Sequence, residues 1–249
     1  MSASSRFGSG TVIEKTCWHD DLFSLKVAAD IEPFLAGQFT SLGLQIGSEH
    51  VARAYSIASA PDDRHLEFYF NRVPTGPLSP KLCALNEGDT VEVARRAAGF
   101  FVLEEIPHGK DLWMLATGTG LGPYLSILRS SDVWQRFERI MVVHAVSHSH
   151  DLGYRNTLEE LAKQQAQLKY IPVVTQEEQA TPLKQRFPIL IETRALEKLA
   201  DCELTQDGSR IMLCGSLEMI HDTTAALKER SLSKHRRSKP GQIISEKYW

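Results

Sequence analysis

At residues 113–124 the chain reads WMLATGTGLGPY, an apolar run followed by a glycine-rich turn and a proline. A helical pattern continues over Pro123–Arg129. A glycine turn between a parallel strand and a helix lets backbone N–H groups approach a pyrophosphate, with the positive end of the helix facing its charge. Pro123 suits the first turn of a helix, because its missing N–H would have no partner there. The stretch favours a nucleotide-binding turn.

The spacing of this turn is less specific than its position. It is G-x-G-x-G-P, whereas the common dinucleotide pattern is G-x-G-x-x-G. No acidic residue lies in a convincing ribose-binding position about 20 residues further on. A tight structural turn without a ligand remains the alternative interpretation.

The sequence after about residue 110 alternates short apolar strands with helical stretches, which predicts right-handed crossovers and a parallel, Rossmann-like α/β sheet. The predicted strands are Leu112–Ala116, Ile140–Val143, Leu168–Val174 and Ile211–Leu213. The predicted helices are Pro123–Arg129, Thr157–Gln167, Ile189–Ala200 and Glu218–Arg230.

The first hundred residues have short alternating strands separated by turn residues, a pattern that predicts a closed or nearly closed antiparallel β-barrel. A short helix is predicted from Pro80 to Leu85, with Ser79 as its N-cap and Pro80 in its first position. The predicted strands are Leu22–Val27, Phe39–Leu44, Arg53–Ile57, Leu66–Val73 and Val91–Val93. The polar segment 104–110, which contains Pro and Gly, predicts a boundary between a barrel domain over 1–106 and an α/β domain over 107–249.

Composition excludes several classes of protein. A formal net charge of -3 argues against a nucleic-acid-binding protein, which would need a basic surface. No apolar run approaches the roughly 20 residues that cross a bilayer, and residues 1–10 lack the apolar core of a signal peptide, so we expect a cytoplasmic protein. The four cysteines form no C-x-x-C pair. His144, His148, His150 and Asp151 lie close in sequence, but we interpret them as a solvated polar loop and expect no metal.

The stretch Arg53-Ala54-Tyr55-Ser56 places a cation, a phenol and a hydroxyl on one strand. Period-two geometry puts Arg53 and Tyr55 on one face and Ala54 and Ser56 on the other. An arginine beside an aromatic ring suits an anionic, planar ligand, because the guanidinium binds phosphate oxygens and the ring stacks. The alternative is an edge-strand arginine with a half-buried tyrosine.

Further segments accompany RAYS at 53–56 and GTGLGP at 118–123: GPLS at 76–79 and LCGS at 213–216, with AGQF at 36–39, AAGFFVL at 97–103 and EKYW at 246–249. Taken together and in order along the chain, these segments resemble the ferredoxin–NADP+ reductase family, and in particular its bacterial ferredoxin/flavodoxin members. The resemblance covers the whole chain and implies FAD in the barrel domain and NADP(H) in the α/β domain.

The resemblance implies a set of FAD-binding residues. Arg53 would bind the pyrophosphate, Tyr55 would lie along the isoalloxazine and Ser56 near its N5 atom. The N-terminal amides of the short helix would face the pyrophosphate, and Trp249 would stack near the FAD. The implied FAD contacts are Arg53, Ala54, Tyr55, Ser56, Tyr69, Phe70, Asn71, Arg72, Pro77, Leu78, Ser79, Thr119, Tyr248 and Trp249.

The implied NADP site departs from the family pattern. The family usually holds the adenosine 2′-phosphate with arginines after the second and third strands, whereas Ser147 and Gln176 stand there in this chain. Arg186 remains in register, with Lys184 and Arg155 as possible substitutes, so we expect NADPH as the donor and leave reduced discrimination against NADH open. The implied NADP contacts are Gly118, Thr119, Gly120, Thr175, Lys184, Arg186, Cys214 and Gly215.

The resemblance also implies a reaction. Ser56, Cys214 and Glu246 would gather where the nicotinamide meets the flavin, although without the family Cys214 would be assigned to the core. The implied enzyme transfers electrons between NADPH and ferredoxin or flavodoxin, by hydride transfer to flavin N5 and then single-electron steps. A reductase of free flavin or another diffusible acceptor, and a non-catalytic nucleotide-binding redox sensor, remain alternatives.

A basic run between Lys228 and Lys239 stands out in this net-acidic chain. Such a run is usually a solvated helix end. Its functional interpretation is a docking face for an acidic electron carrier, whose association would depend steeply on salt. We expect a monomer that docks ferredoxin or flavodoxin.

Overall fold

The computed structural model describes residues 6–177 and 181–248, and the chain divides into two compact units. The first unit holds the residues up to Leu103 together with Gly122–Ser130, and the second holds Glu104–Leu121 and the residues from Ser131 onward. The predicted division after residue 106 is a single cut, and the observed one differs because the helix after the glycine turn groups with the first unit. Among the described residues, no helix combines the length and apolarity that crossing a membrane requires.

The first unit is built on a six-stranded antiparallel sheet. Its strands are β1 (Phe7–His19), β2 (Leu22–Ala28), β3 (Phe39–Ile46), β4 (Glu49–Ser56), β5 (Leu66–Asn71) and β6 (Thr90–Ala94). They pair in the order β4-β3-β6-β1-β2-β5. The two edge strands meet where Ile57 bridges Phe68 and the Ala58 N–H donates to the Glu67 carbonyl at 2.7 Å. The sheet curls into a nearly closed barrel, which confirms the prediction.

Strand β1 is absent from the sequence-based prediction although it has 13 residues. It pairs with β2 on one side and with β6 on the other. Only Gly10 and Val12 are buried along it, and its register against β2 shifts twice. The apolar alternation that identifies a strand is therefore missing.

The short helix α1 (Ser79–Ala84) begins one residue earlier than predicted. Ser79 is its first residue and not its N-cap, which is Leu78, and Pro80 takes the second position. The Ser79 hydroxyl instead accepts a hydrogen bond from the Val73 N–H at 2.9 Å. The serine ties down the turn that precedes the helix.

The second unit contains a five-stranded parallel sheet. Its strands are β7 (Asp111–Thr117), β8 (Arg139–Val146), β9 (Leu168–Val174), β10 (Ser209–Gly215) and β11 (Ile243–Lys247). Their order is β11-β10-β7-β8-β9, so the direction of strand addition reverses between β7 and β10. Such a reversal is a topological switch point. The helices in this half of the chain are α2 (Gly122–Arg129), α3 (Asp132–Arg136), α4 (Arg155–Gln164), α5 (Phe187–Glu192), α6 (Ala195–Ala200) and α7 (Leu217–Glu229).

Two elements of this half differ from the prediction. The segment 189–200, predicted as one helix, belongs to two helices because Arg194 between them adopts a left-handed φ of 56°. The predicted set also lacks β11, an edge strand in which only Ile243 is buried. It pairs with β10 so that Glu246 lies beside Cys214.

Helix α2 is anchored within the first unit by Arg129. Its Nη1 lies 2.5 Å from a Glu67 carboxylate oxygen and 2.9 Å from the Ala58 carbonyl oxygen. Glu67 is only 6% exposed, so this cation offsets much of the cost of burying its carboxylate. The Ser126 hydroxyl adds a hydrogen bond to the Ser59 carbonyl at 2.6 Å.

Replacing Arg129 with Met leaves the Glu67 carboxylate buried without its cation. We expect the free energy of unfolding of the first unit to fall by about 3 kcal/mol in urea titrations. The matched control is Arg96→Met, which breaks an exposed pair with Glu32 at 2.8 Å and should change stability by less than about 1 kcal/mol. Equal losses in the two variants would contradict this account of the α2 anchor.

Candidate functional site

The C-terminal edge of the parallel sheet carries the glycine turn at the switch point. Strand β7 ends at Thr117, and a single 3-10 turn, Gly118–Leu121, follows before α2 begins. Its neighbour β10 ends at Gly215. Open parallel sheets bind ligands in the crevice beyond the carboxyl ends of their strands at such a point.

Glycine is required at this edge by close backbone packing. Gly118 has a φ of 53°, in the left-handed region that favours glycine. A Cβ at Gly120 would collide with the Cys214 carbonyl oxygen, and a Cβ at Gly215 would collide with the Thr117 hydroxyl. Gly120 in the turn and Gly215 at the end of β10 therefore have no room for a side chain. Bare backbone of this kind is what a pyrophosphate-binding turn needs.

His144, near the end of β8, holds the glycine turn in place. Its side chain is fully buried, and Nε2 donates a hydrogen bond to the Gly118 carbonyl at 2.9 Å. Burial lowers the pKa of the imidazole to about 4. Nδ1 has no hydrogen-bond partner in the part of the chain that the structure describes. The prediction that His144 belongs to a solvated loop is wrong, because β8 extends to Val146.

Cys214 lies beside Glu246 where β10 pairs with β11. The thiol is fully buried, and burial, followed by the nearby Glu246 carboxylate, raises its pKa well above the ordinary value. The Tyr248 N–H donates to the Gly215 carbonyl at 2.8 Å, which continues the pairing beyond the strand. Cys214 is therefore a neutral thiol and not a thiolate nucleophile.

In the first unit, the motif at 53–56 lies on the edge strand β4. Tyr55 is only 7% exposed and packs edge-on against Phe70, with ring centroids 5.4 Å apart. Burial raises the pKa of the Tyr55 phenol to about 12. Ser56 is buried, whereas Arg53 is exposed and donates from Nη1 to the Ala52 carbonyl at 2.7 Å. The strand thus presents an exposed guanidinium two residues from a fixed aromatic ring.

Most of the other predicted FAD contacts fall at the end of β5 and at the start of α1, whereas Ala54 lies on β4, Thr119 in the glycine turn and Tyr248 after β11. Arg72 pairs with Asp21, with 2.8 Å between Nε and the carboxylate oxygen. Among these predicted contacts, the buried residues are Tyr69, Phe70, Leu78 and Ser79, and the exposed ones are Ala54, Asn71, Arg72 and Pro77. Trp249 lies outside the described residues.

The remaining predicted NADP contacts come after β9. The Thr175 hydroxyl donates to the Val146 carbonyl at 3.1 Å. Lys184 is exposed. Arg186, also exposed, forms an ion pair with Glu218 at 2.7 Å, a partner that the sequence did not reveal.

Comparison with known proteins identifies these two units. An oxidoreductase FAD-binding domain matches residues 11–99, and an oxidoreductase NAD-binding domain matches residues 114–225. A flavodoxin/ferredoxin–NADP reductase of Escherichia coli is 47% identical over 97% of this chain and 98% of its own length. The chain belongs to the ferredoxin–NADP+ reductase family.

More distant members of the family match over almost the same length. A ferredoxin–NADP reductase of Pseudomonas aeruginosa is 32% identical over 92% of this chain and 93% of its own. The crystal structure of a ferredoxin NADP+ reductase from Neisseria gonorrhoeae with bound FAD and NADP covers 97% of this chain and 98% of its own, with a TM-score of 0.93 and 32% identity. The reductase is therefore a flavoprotein oxidoreductase with FAD and a nicotinamide dinucleotide as its cofactors.

We expect the buried His144 to make the reductase less stable in acid. Its folded pKa of about 4 lies below the ordinary 6.5, so the unfolded chain binds the proton more tightly. The contribution of this group is therefore complete above pH 6.5 and is lost as the pH falls toward 4. Protonation of His144 over that range is expected to lower the free energy of unfolding of the second unit by about 3 kcal/mol.

Urea unfolding of wild type and His144→Gln at successive pH values measures this loss. The variant should lack the component, and His221→Gln, which alters an exposed histidine paired with Asp222, should keep it. A His144→Gln protein that loses stability with acid as steeply as wild type would refute the assignment.

Proposed function

We propose that the reductase transfers electrons between NADPH and ferredoxin or flavodoxin, as a monomer in the cytoplasm. The observation that carries this proposal is the 47% identity, over nearly the full length of both chains, to a protein named for that reaction. FAD, when bound, supplies a flavin that takes up a hydride and releases electrons one at a time. The residues of this chain bind the two cofactors, orient them and exclude water.

We assign Arg53 to the FAD pyrophosphate and Tyr55 to the isoalloxazine. The exposed guanidinium uses Nη1 on the Ala52 carbonyl and keeps further N–H groups for a phosphate. The Tyr55 ring is held by its contact with Phe70, and burial raises the pKa of the phenol to about 12, so the phenol stays protonated even in mildly alkaline solution. The turn tied down by Ser79 holds Pro77 and the buried Leu78 in place. Tyr69 to Arg72 complete the assigned set with Ala54, Thr119, Tyr248 and Trp249.

We assign the pyrophosphate of NADPH to Gly118, Thr119 and Gly120, with Gly215 and Cys214 toward the nicotinamide. The support is the close packing of the turn against β10, which a side chain at Gly120 or Gly215 would disrupt. Thr175, Lys184 and Arg186 are assigned to the adenosine end. Because the Arg186–Glu218 pair is exposed and therefore weak, a phosphate dianion can replace the carboxylate on this guanidinium.

We assign Ser56, Cys214 and Glu246 to the reacting groups, with Ser56 on the flavin side and the other two on the nicotinamide side. The neutral Cys214 thiol adds no charge to the site, so its role is to hold the nicotinamide and not to attack it. Glu246 supplies the only carboxylate in this assigned set.

Anaerobic addition of NADPH to the FAD-loaded reductase is expected to bleach the flavin absorbance, and oxidised ferredoxin or flavodoxin should restore it. Stopped-flow spectroscopy gives the rate of each half-reaction. FAD-loaded protein that is reduced by neither NADPH nor NADH would overturn the proposal. Within the same experiment, Ser56→Ala and Cys214→Ala should slow flavin reduction by roughly tenfold or more, because misplaced reactants lose effective concentration. Cys202→Ala, which alters another buried thiol of the second unit, should keep the wild-type rate.

A basic surface cluster supports the protein carrier as electron acceptor. Lys228, Lys234, Arg236 and Lys239 line one cavity, and none of these four has an ion-pair partner within residues 6–177 and 181–248. Arg236 and Lys239 exchange backbone hydrogen bonds of 3.0 and 2.9 Å, which fix their hairpin. Arg237 differs, because its guanidinium pairs with Glu105 at 2.5 Å.

Arg236→Gln should raise the KM for ferredoxin or flavodoxin several-fold at low salt, because it removes a free positive charge from the cluster. Arg237→Gln should have a smaller effect, since Glu105 already balances that charge. Both effects should fade as salt screens the surface, and the KM for a small dye acceptor should not change. A matching loss with the dye would show that the cluster does not dock the carrier.

A further inference from the structure

The end of β8 is the position where dinucleotide domains distinguish the two coenzymes. After the second strand of the nucleotide-binding unit, an acidic residue hydrogen-bonds the ribose 2′-hydroxyl of NAD, whereas an arginine accommodates the 2′-phosphate of NADP. In the reductase β8 is that second strand, and residues 147–151 follow it as SHSHD. Residues 175–177, which follow the neighbouring β9, are TQE. Neither segment contains lysine or arginine.

The two segments are hydrogen-bonded to each other. The N–H groups of Thr175 and Gln176 donate to the carbonyls of Val146 and Ser147, each at 3.0 Å, so the pairing of β8 with β9 continues past both strands. The Ser149 N–H donates to a carboxylate oxygen of Glu177 at 2.9 Å. A ligand would therefore meet side chains on a preorganised backbone.

Two histidines supply the basic groups of this edge. The rings of His148 and His150 stack with centroids 5.3 Å apart and planes 1° from parallel. Asp151 steadies both of them: it accepts from the His148 backbone N–H at 3.0 Å, and its carboxylate oxygens lie 3.8 Å from His148 Nδ1 and 3.6 Å from His150 Nε2. Both rings keep exposed surface, with side-chain exposures of 43% and 60%.

Two guanidinium groups of this unit already have exposed carboxylate partners. Arg155, at the start of α4, pairs with Glu159 at 2.7 Å, and Arg186 pairs with Glu218 at 2.7 Å. Asp151 and Glu177 give the edge negative charge, and the pKa of Glu177 is lowered, first by its hydrogen bond from Ser149. A 2′-phosphate at this edge would compete with carboxylates for any arginine, so accessible hydrogen-bond donors of the edge itself would add to its binding.

We propose that His148 and His150 together bind the 2′-phosphate of NADPH, in the place where the family pattern has an arginine. This inference rests on the proposed function, because it specifies the coenzyme contact of the same site. Imidazole N–H groups donate to phosphate oxygens, but they lack the two-pronged geometry of a guanidinium. The reductase should consequently discriminate between NADPH and NADH less strongly than an arginine at this position would allow.

The test uses two nucleotides that lack the nicotinamide. The contribution of the 2′-phosphate to binding is thereby measured without hydride transfer. Calorimetry on the oxidised, FAD-loaded reductase measures binding of 2′,5′-ADP and of 5′-AMP, which differ only in that phosphate. His148→Ala and His150→Ala should each weaken 2′,5′-ADP about fivefold, as expected for losing an exposed hydrogen bond to a charged group. Binding of 5′-AMP should be unchanged.

Two further variants complete the design. His221→Ala, the matched control, alters an exposed histidine that also neighbours an aspartate and should change neither affinity. His148→Arg should raise the ratio of kcat/KM for NADPH over NADH about tenfold, because it restores a fixed, bidentate cation. This gain does not depend on whether an alanine variant folds.

The outcomes separate this inference from the proposed function. Equal weakening of both nucleotides in the alanine variants, or no weakening, overturns the histidine assignment even if NADPH reduces the flavin. If 2′,5′-ADP alone is weakened while neither coenzyme reduces the flavin, the assignment stands and the proposed function fails.

Discussion

The contact between the glycine turn after β7 and the end of β10 is the constraint on which the rest of the second unit depends. Gly120 lies against the Cys214 carbonyl, and the Gly118 carbonyl accepts a hydrogen bond from the buried His144. This packing joins three neighbouring strands of the parallel sheet at one edge. The same contact fixes the backbone that faces a pyrophosphate and the strand that carries Cys214 beside Glu246.

How accurately each strand was predicted from the sequence depends on how much of that strand is buried. Strands β7 to β10 were predicted within three residues of their ends, because strands buried on both faces read as continuous apolar runs. Strand β1, mostly exposed and irregular in register, offered no such run. The break at Arg194 was missed for another reason: a left-handed residue other than glycine or asparagine leaves no local mark in the sequence.

In the candidate site too, features formed by contiguous residues were predicted, and contacts between residues distant in sequence were not. The glycine turn was predicted because strand, turn, proline and helix are contiguous. The contact of His144 with Gly118, the pairing of Arg186 with Glu218 and that of Arg129 with Glu67 join residues at least 26 positions apart. No pattern along the chain reports them. A histidine inside the apolar run IMVVHAV was the one available signal, and it suits a core position better than a loop.

The grouping of α2 with the first unit has a consequence for dissecting the protein. The polypeptide passes between the units three times, after Leu103, Leu121 and Ser130. A gene fragment that stops at the end of the barrel would encode Glu67 but not Arg129, the residue of α2 that pairs with it. Neither half is thus an autonomous module to be excised and fused elsewhere, and exchange of domains with a relative must carry the helix along with the barrel.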